Sequence, residues 1–100
     1  MEKVVNTKKR AWVALTDTIQ KILPDITQEQ LQPQNSLRTL GANSMDRAEI
    51  IISVMETLDL KLPLFYFSEE KNLGELADLL DTQLHIMERK KNNVPPTERK

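Results

Sequence analysis

Ser44 is the side chain in this sequence with the best setting for chemistry. Gly41 is a turn residue, Asn43 and Ser44 are types that cap helices, and a segment with helical apolar spacing follows at once. The Ser44 hydroxyl is therefore predicted in the first turn of a helix, where unpaired backbone N–H groups and the helix dipole favour a bound anion. A phosphate ester on Ser44 would lie in that field. The same residues also serve as plain caps, and helix chemistry alone leaves both interpretations open.

The sequence offers no set of partners that would turn Ser44 into a nucleophile. Its single histidine, His85, falls much later in the chain on another predicted helix, and no Gly-x-Ser-x-Gly elbow surrounds the serine. A Ser-His-Asp set cannot be assembled from these residues. We therefore predict that the chain is not an enzyme, that it has no catalytic residues, and that Ser44 is an acceptor modified by another enzyme.

The length and the cysteine content further limit the classes of protein and of site that this chain could represent. The chain has 100 residues and no cysteine, which indicates one small domain and excludes disulfides, thiolate metal sites and cysteine catalysis. With a single histidine, no metal site is predicted. No apolar run is long enough to span a bilayer, and no signal-like apolar block follows Met1-Glu2-Lys3. We expect a cytoplasmic monomer without a membrane partner.

Charge is unevenly distributed although the net charge is only −1. Residues 41–81 hold nine acids and three bases, whereas residues 1–24 and 82–100 are each basic. An acidic block around Ser44 favours basic protein partners over nucleic acid. The basic cluster Lys8-Lys9-Arg10 lacks interleaved aromatic residues and does not indicate nucleic-acid binding. An ordinary solvated acidic face remains an alternative.

Apolar residues recur at helical spacing in three long segments, and a shorter segment precedes the last of them. Pro24 stops the first helix, and Asn72 with Glu75 fits a capping box at the start of the last. The second helix has the widest apolar arc, so we expect it at the centre of the bundle. The predicted helices cover residues 4–23, 44–59, 64–70 and 72–87. The apolar stripes of the long helices consist of Val5, Trp12, Leu15, Ile19 and Ile22 in the first, Met45, Ala48, Ile51, Ile52, Val54, Met55 and Leu58 in the second, and Leu73, Leu76, Leu80, Leu84 and Met87 in the last.

The segments between and after the helices complete the predicted fold. Residues 24–43 form a long connection with a short helical turn near Thr27–Leu31, as antiparallel helices with distant ends require. Residues 64–70 form a short third helix or an irregular turn, whose aromatic residues either close the core or contact a ligand. The sequence predicts an all-α, antiparallel four-helix bundle over 1–87, with one long loop and one short helix. Residues 88–100 are predicted to be a disordered tail.

The residues around Ser44 resemble a known family. Leu40-Gly41-x-Asn43-Ser44-Met45, followed by a long apolar helix, is similar to the attachment site of acyl carrier proteins, whose usual pattern is Leu-Gly-x-Asp-Ser-Leu. The resemblance covers roughly residues 4–86 and implies the same bundle. It further implies that Ser44 carries 4′-phosphopantetheine through a phosphodiester and holds an acyl group as a thioester. A phosphopantetheinyl transferase would add the group from coenzyme A.

A subtype is implied by the longer run Asn-Ser-Met-Asp-Arg-Ala-Glu over residues 43–49. It resembles the discrete donor carriers of β-branching cassettes in bacterial polyketide pathways, although Asn43 replaces the family's usual aspartate. Such carriers present an acetyl group to an enzyme resembling 3-hydroxy-3-methylglutaryl (HMG) synthase. The implied partners also include an acyltransferase and a decarboxylating ketosynthase-like enzyme. The residues predicted to dock partners are Asn43, Met45, Asp46, Arg47 and Glu49.

Three other functions stay open at this point. One is a carrier for fatty acids or for general polyketide synthesis, which the same attachment motif would serve. Another is a helical interaction module without a prosthetic group. The third is a small hydrolase that uses Ser44, which the missing general base argues against.

Overall fold

The fold is all-α in the residues that the computed structural model describes, 7–67 and 71–93. Within these ranges it contains no strand, only an isolated antiparallel bridge between Ser36 and Asn72. The elements are α1 (Thr7–Ile22), a 3-10 turn (Gln28–Gln30), α2 (Ser44–Leu58), a second 3-10 turn (Leu64–Phe67) and α3 (Leu73–Asn93).

The predicted all-α class is confirmed, but the predicted four-helix bundle is corrected to three α-helices in the described part of the chain. Where the third helix was expected, Leu64–Phe67 makes a single 3-10 turn, in which the Tyr66 N–H donates to the Pro63 carbonyl at 3.1 Å. This tighter i to i+3 pattern rarely extends beyond one turn. Residues 68–70 of the predicted helix lie outside the described residues.

The last helix is longer than expected. It continues to Asn93, past the predicted end at 87, so the predicted disordered tail is wrong for residues 88–93. The sequence there, Glu-Arg-Lys-Lys, consists of good helix formers. Glu88 also forms an ion pair with Arg10 of α1 at 3.6 Å. Residues 94–100, the rest of the predicted tail, lie outside the described residues.

The central helix is α1, not α2 as the width of its apolar arc suggested. α1 packs extensively against both other helices, whereas α2 and α3 approach each other directly at few points. Small Ala11 and Ala14 lie in its buried face and allow close approach of its neighbours. In α2, Ile50 is buried although the predicted stripes left it out, while Met45 and Ile52 of those stripes are exposed. Met87 of the last predicted stripe is exposed too, and Val5 of the first lies outside the described residues. The buried apolar residues also include Leu15, Ile19, Ile51, Val54, Met55, Leu58, Leu73, Leu76, Leu80 and Leu84.

The long loop before α2 packs against the bundle through buried leucines and contains a hydrogen-bonded turn. Leu31, Leu37 and Leu40 are buried in the common core. The predicted turn near Thr27 is confirmed as a 3-10 turn, in which the Gln30 side chain accepts a hydrogen bond from the Thr27 N–H at 2.9 Å. The loop therefore packs as a layer of the domain and positions the start of α2.

The same loop also satisfies the first backbone donors of α3. The Leu73 N–H donates to the Asn35 carbonyl at 2.7 Å, and the Gly74 N–H donates to the Pro33 carbonyl at 2.9 Å. These N–H groups have no partner within their own helix, so the loop supplies the acceptors. Glycine suits the contact because a Cβ atom at Gly74 would lie 3.2 Å from Pro33 Cβ. The Asn72–Glu75 capping box is confirmed, with bonds of 2.7 and 2.9 Å.

Candidate functional site

The start of α2 is set by a tight turn in the loop. Gly41 has φ of +94°, in the left-handed region that glycine adopts without strain. The Gly41 N–H donates to the Arg38 carbonyl and the Ala42 N–H to the Leu37 carbonyl, both at 3.0 Å. Ala42 is buried directly after this turn. The chain is therefore anchored on one side of Ser44 by buried Ala42 and on the other by the helix itself.

Asn43, not Ser44, caps this helix. The Asn43 side chain accepts a hydrogen bond from the Asp46 N–H at 2.8 Å, and the Asp46 carboxylate accepts one from the Asn43 N–H at 3.2 Å. This is a reciprocal capping box, which satisfies two donors at the helix start. The sequence left open whether Asn43 or Ser44 was the cap. Because Asn43 fills that role, the Ser44 hydroxyl is not used in it.

Ser44 and Met45 are both exposed at the first turn of α2. The Met45 side chain is 80% exposed, the highest value among the large apolar side chains that the structure describes. An apolar side chain this exposed beside a serine is available to a partner surface, and a flexible thioether adapts to differently shaped contacts. This exposure rules out packing of Met45 in the core, while its predicted role in docking remains a prediction.

Arg47 folds back over the start of the helix. Its Nη1 donates to the Ala42 carbonyl at 3.0 Å, and the side chain is half-buried. Residues three positions apart in a helix lie on the same side, so Arg47 and Ser44 are neighbours. The bond to Ala42 fixes the guanidinium beside the serine rather than in open solvent.

A pocket of about 440 Å³ opens at Ser44, between α2, the 3-10 turn at Leu64–Phe67 and the start of α3. Its apolar lining residues are Leu37, Ala48, Ile51, Leu64, Phe67 and Leu76. Sequence reasoning missed this pocket because its walls come from four separate segments, although the aromatic run 64–67 had indicated either a core plug or a ligand contact. Phe67 packs on the core and also lines the pocket, while contact with a ligand stays a prediction. The polar and charged residues lining it are Ser36, Arg38, Ser44, Arg47 and Lys71.

On its other side, the α2 N-terminus borders a groove between α1 and α2. Its acidic lining comes from Asp46, Glu49 and Glu56, and Lys21 is the basic residue that lines it in the described part of the chain. The remaining lining residues are Thr18, Ile22, Ser53 and Thr57. Of the predicted docking residues, Asp46 and Glu49 therefore lie on the groove side and Arg47 on the pocket side.

His85 contacts a different group of side chains and lies apart from Ser44. The Thr7 hydroxyl donates to the Asp81 carboxylate, and His85 Nδ1 lies 3.5 Å from the same Thr7 oxygen. None of these three residues lines the pocket at Ser44. The buried Thr7 was not identified from the sequence, because a threonine in an amphipathic helix carries no signal of its partner.

In the described part of the chain, no three potential ligands cluster as a metal site would require. None of the helices described there combines the length and apolar character needed to cross a membrane.

Comparison with known proteins identifies the class of this domain. Residues 13–80 match the family model described as "Phosphopantetheine attachment site". The chain is 44% identical over 73 residues to the polyketide biosynthesis acyl-carrier-protein AcpK of Bacillus subtilis (strain 168), and the match covers 73% of this chain and 89% of that protein.

A solved structure and a second relative are also similar to this chain. A chain from the crystal structure of the curacin biosynthetic pathway HMG synthase in complex with acetyl donor-ACP superimposes with a TM-score of 0.68 and 39% identity, covering 75% of this chain and 96% of that one. The non-reducing polyketide synthase albA of Aspergillus niger is 32% identical over 82 residues, which is 79% of this chain but 4% of that enzyme.

The chain therefore belongs to the phosphopantetheine-binding acyl carrier proteins. Members of this family are carriers rather than enzymes, and their cofactor is covalently bound 4′-phosphopantetheine. The local structure suits such a group: an exposed serine outside the helix cap, the positive end of a helix dipole and a pocket with basic lining residues meet at one point.

Proposed function

We propose that Ser44 carries 4′-phosphopantetheine and that the chain holds an acyl group for enzymes of a polyketide pathway. The observation that carries this proposal is the exposed Ser44 hydroxyl, left out of the helix cap because Asn43 makes it. The match to the family over residues 13–80 includes this serine. The 44% identity to a polyketide acyl-carrier-protein supports the pathway class.

We further propose that the acyl group is acetyl and that an HMG-synthase-like enzyme takes it for β-branching. Support comes from the 39% identity to a chain of the complex between the curacin HMG synthase and acetyl donor-ACP. The partners would be a phosphopantetheinyl transferase, an acyltransferase, a decarboxylating ketosynthase-like enzyme and the HMG-synthase-like enzyme. A fatty-acid carrier remains the second candidate, because the same attachment motif serves both.

The residues of this chain would act by positioning. When bound, the prosthetic group supplies a thiol that holds the acyl group as a thioester. The Asn43–Asp46 capping box keeps the first turn of α2 ordered, and the helix N-terminus stabilises negative charge next to Ser44. A tethered acyl group is presented to a docked enzyme at high effective concentration, so transfer does not depend on free diffusion of the substrate.

Docking would use the exposed first turns of α2. Met45 provides an adaptable apolar contact at the centre of this surface. Asp46 and Glu49 provide negative charge toward a basic partner, and Asn43 and Arg47 flank them. Charge complementarity of this kind speeds association and selects partners more than it raises affinity, which suits a carrier that visits several enzymes in turn.

Attachment is tested by intact-mass spectrometry after incubation with a phosphopantetheinyl transferase and coenzyme A. The wild-type chain should gain the mass of one phosphopantetheine, and Ser44→Ala should gain none. Ser36→Ala and Ser53→Ala are matched controls, since Ser36 also lines the pocket and Ser53 also lies on α2. Both should be modified like the wild type. An unmodified wild-type chain with a transferase shown to be competent on another carrier would reject the proposal.

The subtype is tested by exchanging carriers. The acetyl-loaded chain should support condensation by an HMG-synthase-like enzyme, whereas an acetyl-loaded fatty-acid carrier should support it poorly. Equal rates with both carriers would remove the reason for the β-branching assignment and favour the general carrier.

A further inference from the structure

The two sides of the α2 N-terminus carry opposite charge. The basic residues lining the pocket at Ser44 are Arg38, Arg47 and Lys71, and none of the acidic residues that the structure describes lines it. The acidic residues lining the groove on the other side are Asp46, Glu49 and Glu56. Ser44 therefore lies between the basic pocket and the acidic groove. An anion attached to its hydroxyl is attracted by the pocket side and repelled by the groove side.

Arg47 is the basic residue best placed to receive that anion. It follows Ser44 by three positions on the same side of the helix and is held there by its 3.0 Å bond to the Ala42 carbonyl. That bond occupies one of the five N–H donors of the guanidinium. The planar arrangement of these donors matches phosphate oxygens, and because it is pre-organised, less side-chain freedom is lost per hydrogen bond than with a lysine.

We infer that Arg47 is a positioning residue that binds the phosphodiester on Ser44 and directs the phosphopantetheine arm into the pocket between α2 and α3. This inference rests on the proposed attachment at Ser44. The ligand class is a phosphodiester that continues into a chain of amides and aliphatic groups. The pocket matches both parts, because Leu37, Ile51 and Leu76 form an apolar wall and Ser36 and Lys71 add polar groups. Its volume of about 440 Å³ lies within the range of small-molecule sites.

This arrangement separates the arm from the partner. The acidic groove between α1 and α2, with Asp46 and Glu49 at its edge, stays accessible to a basic enzyme surface while the arm rests on the opposite side. Arg47 then sets the balance between the arm resting in the pocket and the arm extended toward an enzyme. Weakening its charge shifts that balance toward the extended form.

The experiment compares backbone amide spectra of the ¹⁵N-labelled chain before and after complete loading, confirmed for each variant by intact mass. In the wild type, loading should shift amides lining the pocket far from Ser44 in sequence, such as Phe67 and Leu76. In Arg47→Gln these shifts should fall at least about twofold, because the charge is lost. Arg47→Lys should retain most of the effect. Arg10→Gln, the same substitution on α1 at an arginine that does not line the pocket, should leave the shifts unchanged.

Salt provides a test that needs no substitution. Raising the ionic strength from about 0.05 to about 0.5 M should reduce the loading-dependent shifts in the wild type, since screening weakens exposed charge pairs. The salt dependence of the wild type also tests the inference if the spectrum of unmodified Arg47→Gln shows unfolding.

The outcomes separate the two proposals. A wild-type chain that gains no phosphopantetheine overturns both. A loaded chain whose shifts are confined to residues beside Ser44, or move Thr18 and Ser53 of the groove instead, overturns this inference and leaves the attachment intact. Shifts of equal size in the wild type, Arg47→Gln and high salt also overturn it.

Discussion

The Asn43 side chain accepts a hydrogen bond from the Asp46 backbone N–H at 2.8 Å, and the Asp46 carboxylate accepts one from the Asn43 N–H at 3.2 Å. This exchange closes the first turn of α2 on the residues that flank Ser44. The serine thus lies inside a rigid turn without contributing to its cap. Its position therefore depends on its neighbours, whereas its hydroxyl remains available.

The cap predicts a measurable stability difference. Asn43→Ala removes the acceptor for the Asp46 N–H and should lower the free energy of unfolding by about 1 kcal/mol. Asn43→Asp keeps an acceptor at the same place and should stay close to the wild type. Urea unfolding monitored by circular dichroism measures both. Equal stability of Asn43→Ala and the wild type would show that the box contributes nothing.

The turn before the site predicts strain on substitution. Gly41 has φ of +94°, and a Cβ atom there would meet no neighbour within 4 Å, so any effect comes from the backbone rather than from a clash. Gly41→Ala should lower the free energy of unfolding by about 1–2 kcal/mol. The matched substitution at the other glycine, Gly74→Ala, tests close approach instead, since its Cβ would lie 3.2 Å from Pro33 Cβ. A destabilised Gly41→Ala that still refolds on transfer to lower urea would confirm local strain, whereas wild-type stability would contradict it.

The end of α2 predicts a stabilising substitution. Asp59 is the C-cap with φ of +57°, a left-handed conformation that costs energy for any residue with a Cβ. It also puts a carboxylate at the negative end of the helix dipole. Asp59→Gly should therefore raise the free energy of unfolding by about 1 kcal/mol. Asp59→Ala keeps the strained left-handed backbone, so its free energy of unfolding should be lower than that of Asp59→Gly. A ranking with alanine above glycine would contradict the backbone argument.

How much of this structure the sequence could predict depends on how local the cause is. The start of α2 at Ser44 and the Asn72–Glu75 box were predicted correctly, because capping residues act within one turn. The end of α3 was missed because the charged run after Met87 was interpreted by its low apolar content, while the good helix propensity of the same residues was overlooked.

Relationships between distant segments were predicted least well. The central position of α1 depends on Ala11 and Ala14 and on buried threonines, none of which stands out in an apolar stripe. Thr16 is tolerated inside because its hydroxyl donates to the Trp12 carbonyl at 3.0 Å, a bond that hydropathy does not reveal. The pocket at Ser44 depends on the loop, α2, the 3-10 turn and α3 meeting, and no single segment carries that information.

The inward face of α2 predicts a contrast between two isoleucines on one helix. Ile50 is fully buried and Ile52 is 41% exposed. Ile50→Ala should lower the free energy of unfolding by about 2–5 kcal/mol, because it leaves a cavity in the core. Ile52→Ala deletes the same atoms and should cost less than about 1 kcal/mol. Chemical denaturation of the two variants gives the comparison directly, and a larger effect at Ile52 would mean that α2 faces the other way.

The acidic surface beside Ser44 predicts slower docking when its charge is removed. Glu49 is exposed at the edge of the groove and forms part of the proposed docking surface. Glu49→Gln should reduce the association rate with the HMG-synthase-like enzyme by a few-fold at low salt and by less at high salt, because steering by charge is screened. Glu29→Gln removes the same charge from an exposed loop turn outside the groove and should have little effect. Stopped-flow fluorescence at two ionic strengths separates the cases, since equal effects at the two positions would point to net charge alone rather than to a docking surface at α2.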